Sequence, residues 1–252
     1  MYDFNRLLDW KLLRGSHQFP GPDGGTCLVE AAIVAAGYPY RSVGMADGRA
    51  GDLPVSFSWP LVSYAVCLND AISDDALRQE LLVPFVTRFA GSADTPQVEA
   101  KRVRLMRWRT ISGPLALALA ELGFGVWAKS FRRAGDDAAK FSEWLVARRR
   151  SGRPLPPPAI DSACSYVMER DDDSGTAAWS AARAGTIAAD LVGQAARITV
   201  HREMAAILHD AFAIGNQASA VAPEVTAARM EAAKRDAAER ERGLVRLPQA
   251  AS

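Results

Sequence analysis

The chain has 252 residues, of which 49% are hydrophobic and 23% charged, and its formal net charge at pH 7 is +1. This composition excludes a disordered chain and a wholly membrane-embedded one, and the length allows one large domain or two small ones. The three cysteines are too few and too far apart for a disulfide framework. Because no secretory signal and no bilayer-spanning apolar segment is found, we expect no membrane association and a cytoplasmic location.

Residues that cap or break helices dominate the pattern, and they predict helices along most of the chain. Helix starts, marked by an N-cap residue or by proline in the first turn, are Thr26, Ser58, Ser73, Thr95 and Pro223. Helix ends are marked by Gly37, Pro84 and the interruption at Ser112–Pro114. Segments 4–13, 115–122 and 136–149 also have helical patterns, whereas the Gly- and Pro-rich segment 38–57 is expected to be a loop.

The segment Ser151–Ala159 (SGRPLPPPA) is the clearest linker, because three consecutive prolines favour an extended, semi-rigid conformation. It predicts a helical domain at 1–150, a linker at 151–160, and a helical hairpin or extension at 161–252 that packs on the first part or stands apart from it. In this last part we expect a short helix at 163–169, a long Ala-rich helix at 174–214 interrupted near Gly185 or Gly193, and a charged C-terminal helix. Since no long alternating apolar pattern occurs, the predicted fold is an all-α, irregular multi-helix bundle.

The Gly- and Pro-rich segment 14–37 holds the first candidate site, because His17 and Cys27 flank a turn that leads into a helix. A cysteine at a helix N-terminus gains a lowered pKa from the helix dipole and can act as a thiolate nucleophile, with His17 as its base. Asn69 and Asp70 are of the residue types that orient such a histidine. A structural alternative stays open, in which Cys27 is a small buried hydrophobe and His17 caps a turn.

A metal site built from His17, Cys27 and Glu30 is the weaker hypothesis, because it lacks a fourth ligand and no typical metal-ligand spacing occurs. His201 and His209 are eight residues apart on a predicted helix. They therefore point about 80° apart around its axis and do not form a ligand pair. The turn also lacks the Lys and Ser/Thr of a phosphate-binding Walker loop. We therefore predict no metal and no cofactor.

A series of short motifs runs through the first half of the chain: GSH at 15–17, GGTCLVEAAIVAAG at 24–37, LND at 68–70 and DTPQVEAKRVRL at 94–105. This series resembles a family of uncharacterised bacterial and phage-borne proteins with an Ala-rich helical C-terminal half. The resemblance covers roughly residues 7–125, and it implies a helical fold but no particular activity. Some members carry further His and Cys residues after the AG pair, and segment 38–52 of this chain lacks them, which argues against a metal role.

The middle of the chain is basic: residues 101–153 contain 13 Lys and Arg against 4 Asp and Glu, and both flanks are net acidic. Tryptophan and phenylalanine are interleaved with these cations, a combination typical of single-stranded nucleic-acid binding. In the alternative interpretation, the cations pair with the acidic flanks and the tryptophans belong to the core. The candidate binding residues are Lys101, Arg102, Arg104, Arg107, Arg109, Arg132, Arg133, Arg148, Arg149 and Arg150.

Three hypotheses of function follow from these observations. The preferred one is a helical binding or regulatory protein that presents the basic segment to an acidic protein partner or to nucleic acid. The second is a thiol-dependent hydrolase or acyl transferase that uses Cys27 and His17. The third is a structural component of a larger assembly, with homo-oligomerisation as its simplest form.

Overall fold

The computed structural model describes residues 11–16, 25–43, 53–133, 138–152, 156–168, 173–215 and 221–241. In this part of the chain the fold is an all-α multi-helix arrangement, which confirms the predicted fold class. The β-type pairing that these residues contain is an isolated bridge between Leu12 and Thr26. None of the helices described is both long enough and apolar enough to cross a membrane.

The helices are numbered here in chain order. They are α1 Leu28–Ala35, α2 Trp59–Ala71, α3 Asp75–Leu82, α4 Pro96–Thr110, α5 Ala116–Glu121, α6 Gly125–Arg132, α7 Ala138–Arg150, α8 Pro158–Met168, α9 Ser174–Asp190, α10 Gln194–Phe212 and α11 Pro223–Glu241. A 3-10 turn at Val83–Phe85 follows α3, and a π turn at Ile111–Leu115 joins α4 to α5.

Most predicted helix starts are confirmed, because the side chains that cap them make the expected hydrogen bonds. The Ser58 hydroxyl accepts from the Leu61 N–H at 3.5 Å. The Thr95 hydroxyl accepts from the Val98 N–H at 3.4 Å. Helices α1 and α3 each begin one residue later than predicted. Their caps are Cys27 rather than Thr26, and the carboxylate of Asp74 rather than the hydroxyl of Ser73. A side-chain acceptor at the N-cap satisfies an N–H that the helix itself leaves unpaired.

Three further elements differ from the prediction, and one of the two predicted interruptions of the Ala-rich helix is confirmed. Segment 11–13, the described end of the helix expected at 4–13, is extended, and the Leu13 N–H donates to the Thr26 carbonyl at 2.8 Å. Helix α6 was not predicted. Helix α8 begins at Pro158, five residues before the predicted start, because a proline is accommodated in the first turn of a helix. The long Ala-rich helix breaks at Gly193, the N-cap of α10, and continues through Gly185.

Helix α9 lies at the centre of the fold and packs against α2, α4, α8 and α10. Its buried side chains are almost all small: Ala177, Ala178, Ser180, Ala181, Ala182, Ala184, Thr186, Ala188 and Ala189. Two glycines of α9 allow side chains of neighbouring helices to approach its backbone even more closely. A Cβ atom at Gly175 would lie 1.8 Å from Nε1 of Trp59, and one at Gly185 would lie 2.8 Å from Sδ of Met204.

One hydrophobic core includes residues from both sides of the predicted linker. Leu61 and Met106 precede the linker, Ala181 and Met204 follow it, and all four belong to the same buried cluster. Residues from both sides of the predicted linker therefore share one buried cluster. The division of the chain into two domains at 151–160 stays a prediction.

Replacing Gly175 with alanine tests the close approach at α9. The added Cβ would collide with the ring of Trp59, whose indole N–H donates to the Asp173 carboxylate at 3.1 Å. We expect Gly175→Ala to lower the free energy of unfolding in urea by about 1–3 kcal/mol, the usual cost of overpacking. The matched control is Gly125→Ala in α6, where a Cβ would meet no atom within 4 Å. This control should be neutral or slightly stabilising, and equal effects of the two substitutions would contradict the packing described.

Candidate functional site

Cys27 is the N-cap residue of α1, and it forms a capping box with Glu30. The Glu30 N–H donates to Sγ of Cys27 at 3.5 Å, and the Cys27 N–H donates to the Glu30 carboxylate at 3.0 Å. The side chain is 3% exposed. Burial raises the pKa of the Cys27 thiol well above its usual range, and the neighbouring negative charge of Glu30 raises it further. The thiol is therefore protonated at neutral pH, the reverse of what a helix N-terminus alone would produce.

Glu30 is fully buried and collects hydrogen bonds from three chain segments. Besides the Cys27 N–H, its carboxylate accepts from the Ser16 hydroxyl at 2.7 Å, the Thr26 hydroxyl at 3.2 Å and the Val43 N–H at 3.1 Å. A buried carboxylate is tolerated only when donors replace its lost water. Glu30 thus fastens the segments before and after α1 to the start of that helix.

Asn69 and Asp70 bind the segment 11–16 through hydrogen bonds. The Asn69 amide donates to the Leu13 carbonyl at 2.9 Å and accepts from the Leu28 N–H at 3.4 Å. The Asp70 carboxylate accepts from the Gly15 N–H at 2.8 Å and from the Asn69 amide at 3.0 Å. His17 lies outside the described residues, so its place in the predicted thiol site stays a prediction.

Arg78 belongs to the same polar network, and the sequence analysis missed it. Its side chain is 1% exposed and donates to the carbonyls of Leu12, Asn69 and Ile72. It also pairs with the carboxylate of Asp75. The sequence does contain a pattern that indicates this burial. Arg78 lies three residues before Leu81 and four before Leu82, which places it on the apolar side of α3. Together, Ser16, Glu30, Asn69, Asp70 and Arg78 form what we call the motif network.

Five of the ten predicted binding residues make contacts with other groups of the same chain. Arg102 is 1% exposed, so it is not part of an exposed basic surface. Its guanidinium donates to Glu99 at 3.0 Å, to the Ser92 carbonyl at 2.7 Å and to the Ile214 carbonyl at 2.8 Å. Chain segments far apart in sequence thus meet at one buried cation.

The other four of these residues make contacts nearer the surface. Arg109 pairs with Glu203 at 3.0 Å and with Asp210 at 2.8 Å, and Arg149 pairs with Asp161 at 2.6 Å. Arg107 donates to the Val167 carbonyl, and the guanidinium of Arg148 lies 5.4 Å from the centre of the Trp127 ring. Among these four, Arg109 and Arg149 pair with acidic residues of the C-terminal flank, as the alternative interpretation expects.

The remaining five predicted binding residues are exposed: Lys101, Arg104, Arg132, Arg133 and Arg150. None of them has an ion pair in the described part of the chain.

The aromatic residues of the basic segment pack against one another inside the protein. Trp127, Phe131 and Phe141 are buried, and Trp108 and Trp144 are half-buried against them. Ring centres in this cluster are 5.1–6.5 Å apart, the range of favourable aromatic contacts. The buried rings of Trp127, Phe131 and Phe141 are therefore not exposed for base stacking.

Residues that could hold a metal do not cluster in the described part of the chain, where no group of three His, Cys, Asp or Glu is arranged as ligands. His201 is buried, and burial lowers its pKa, so it is a neutral core residue at neutral pH. His209 is exposed and lies beside Asp210.

Comparisons with known proteins give no match: no family model, no curated protein and no solved structure is similar to this chain. The resemblance of its motif series to bacterial and phage-borne proteins therefore stays an interpretation of the sequence. The structure adds a physical reason for that series, because its residues Gly15, Ser16, Glu30 and Asp70 lie in one hydrogen-bonded region.

Thiol labelling tests the state of Cys27. We expect native protein to react slowly with a disulfide reagent at pH 8, because burial raises the pKa of Cys27 and raises those of Cys67 and Cys164 to about 12. Unfolding in urea should release three equivalents at once. Rapid native labelling at pH 6 that disappears in Cys27→Ser would instead restore the thiol-enzyme hypothesis.

Replacing Glu30 with glutamine tests the capping box and its partners. The amide nitrogen of glutamine cannot accept, so at least one donor among Ser16, Thr26, Cys27 and Val43 loses its partner. We expect Glu30→Gln to lower the free energy of unfolding by about 1–3 kcal/mol. The control is Glu143→Gln at an exposed position of α7, which should change it by less than about 0.5 kcal/mol. A neutral Glu30→Gln would show that the network does not stabilise the fold.

Proposed function

We propose that the protein is a helical binding protein that contacts an acidic protein partner through exposed cations of its basic segment. Six exposed cations of this segment make no ion pair in the described part of the chain: Lys101, Arg104, Lys129, Arg132, Arg133 and Arg150. Only Glu121 and Glu143 are exposed acids among its described residues. A surface with this imbalance attracts a negatively charged partner.

The observation that carries the proposal is the two-sided character of α6. Trp127, Ala128 and Phe131 fix one side of the helix in the core. The other side presents Lys129 and Arg132, and the exposed Arg133 follows as the C-cap residue. Val126, in the first turn of the helix, is 70% exposed. We call Val126, Lys129, Arg132 and Arg133 the α6 face. A helix anchored by large aromatic side chains presents these groups with little loss of freedom on binding.

An acidic protein is favoured over nucleic acid as the partner. The aromatic side chains that would stack on bases contact one another in the interior, so the expected stacking partners are occupied. Val126 and the partly exposed Leu122 offer apolar contacts beside the cations, a mixture typical of protein interfaces. A cytoplasmic location is part of this proposal.

The thiol-enzyme hypothesis has no supporting contact in the described part of the chain, since Cys27 is buried and its thiol is protonated. The structural-component hypothesis and homo-oligomerisation stay predictions. The binding proposal differs from both in requiring the α6 face and in leaving Cys27 dispensable.

Charge removal on the α6 face tests the proposal. We expect native protein to bind a fluorescein-labelled polyglutamate peptide at low salt, with binding measured by fluorescence anisotropy. The triple substitution Lys129→Ala, Arg132→Ala, Arg133→Ala should weaken it about tenfold, because three exposed charge contacts contribute up to about 1 kcal/mol each.

The matched control removes the same charge elsewhere, by Lys101→Ala, Arg104→Ala, Arg150→Ala. It should weaken binding by less than about threefold, and both variants should keep the helical circular-dichroism spectrum. Equal losses in the two variants would mean that net charge alone acts. Tighter binding to a labelled oligothymidylate than to polyglutamate would replace the protein partner with nucleic acid.

A further inference from the structure

A cleft between α2 and α9 adjoins the motif network, with which it shares Asp70, and has no residue in common with the α6 face. Its volume is about 450 Å³, within the range of pockets that hold small molecules. The charged and aromatic residues that line it are Arg14, Asp70, Trp179, Arg183, Asp190 and Arg197. No motif in the sequence pointed to it, because these residues come from three separate parts of the chain.

Arg183 and Arg197 are the cations of this cleft that can reach a ligand, and Asp70 and Asp190 are its acids. Asp70 already accepts from the Gly15 N–H and the Asn69 amide, so part of its charge is neutralised internally. Arg197 uses Nε on the Ala189 carbonyl at 3.1 Å, which leaves its terminal nitrogens for other contacts. The exposed Arg183 has no ion pair in the part of the chain that the structure describes. Guanidinium groups recognise carboxylate and phosphate through paired hydrogen bonds.

Trp179 supplies a flat apolar surface next to this charge. It lies four residues before Arg183, so the two side chains are neighbours on one side of α9. Trp179 is 36% exposed, which is high for a tryptophan. The buried residues of the same helix are all small. An exposed indole beside a guanidinium combines the two contacts that bind a planar anion.

The cleft also has an uncharged part. Sγ of Cys67 lies 3.8 Å from the Thr186 hydroxyl, and that hydroxyl donates to the Ala182 carbonyl at 3.1 Å. Both side chains line the cleft together with Val66 and Ala71. This region accepts the neutral portion of a ligand, whereas the arginines take its charged group.

We propose that this cleft binds a small aromatic oxyanion, with its carboxylate or phosphate on the Arg183 guanidinium and its ring against Trp179. Arg197 adds positive potential in the same cleft. The proposal is independent of the α6 face, because the two sites share no residue.

Calorimetric titration with five probes tests it. The aromatic anions are indole-3-carboxylate and adenosine monophosphate, their neutral counterparts are indole-3-carboxamide and adenosine, and inorganic phosphate is the anion without a ring. We expect at least one aromatic anion to bind at least tenfold more tightly than both its neutral counterpart and inorganic phosphate. Binding of indole-3-carboxylate indicates a carboxylate ligand, and binding of adenosine monophosphate indicates a phosphate ligand.

Variants then place the binding in the cleft. Arg183→Gln and Trp179→Leu should each weaken it about tenfold or more, whereas Arg202→Gln should leave it unchanged. Arg202 is an exposed arginine outside the cleft that pairs with Glu80 at 3.0 Å. Circular dichroism of each variant should match the unaltered protein. The proposal is overturned if neither aromatic anion binds at millimolar concentration, or if the bound one is insensitive to both cleft substitutions.

Discussion

The small side chains of α9 set how closely its neighbours can approach, and the rest of the fold depends on that distance. Four helices pack around α9, and its contact residues are alanine, glycine, serine and threonine. Large neighbours such as Trp59 and Met204 fill the space that these residues leave. Small residues contribute little apolar area individually, so the stability comes from the large side chains of the surrounding helices that they allow to meet.

Where the chain has no regular secondary structure, polar side chains rather than apolar packing hold it in place. Segments 11–16 and 38–43 run beside α1 without helix or sheet, and their backbone groups still need partners. Glu30 and Arg78 supply these partners from inside the protein, one as a buried acceptor and the other as a buried donor. Both are charged, and burying them is tolerated because hydrogen bonds surround each of them.

The sequence predicted the fold class and most helix starts, because an N-cap acts on its own helix and is visible in a few neighbouring residues. It failed for α6, which begins at Gly125 without a side-chain cap. The sequence also predicted a lowered pKa for Cys27, because a position at a helix N-terminus can be identified from neighbouring residues. The burial that instead raises this pKa results from the packing of the whole fold. The pairing of Arg109 with Glu203 joins residues 94 positions apart, so no local pattern could reveal it.

The π turn at Ile111–Leu115 contains Gly113 and Pro114 and yet leaves the helical path unbroken from α4 into α5. Proline lacks an N–H and clashes with the preceding turn of a regular helix, and a wider turn gives it room. Ile111 and Leu115 on the turn and Leu119 beyond it are all buried, as is Met106 before it. The helix can therefore carry a proline in its interior without turning its buried side away from the core.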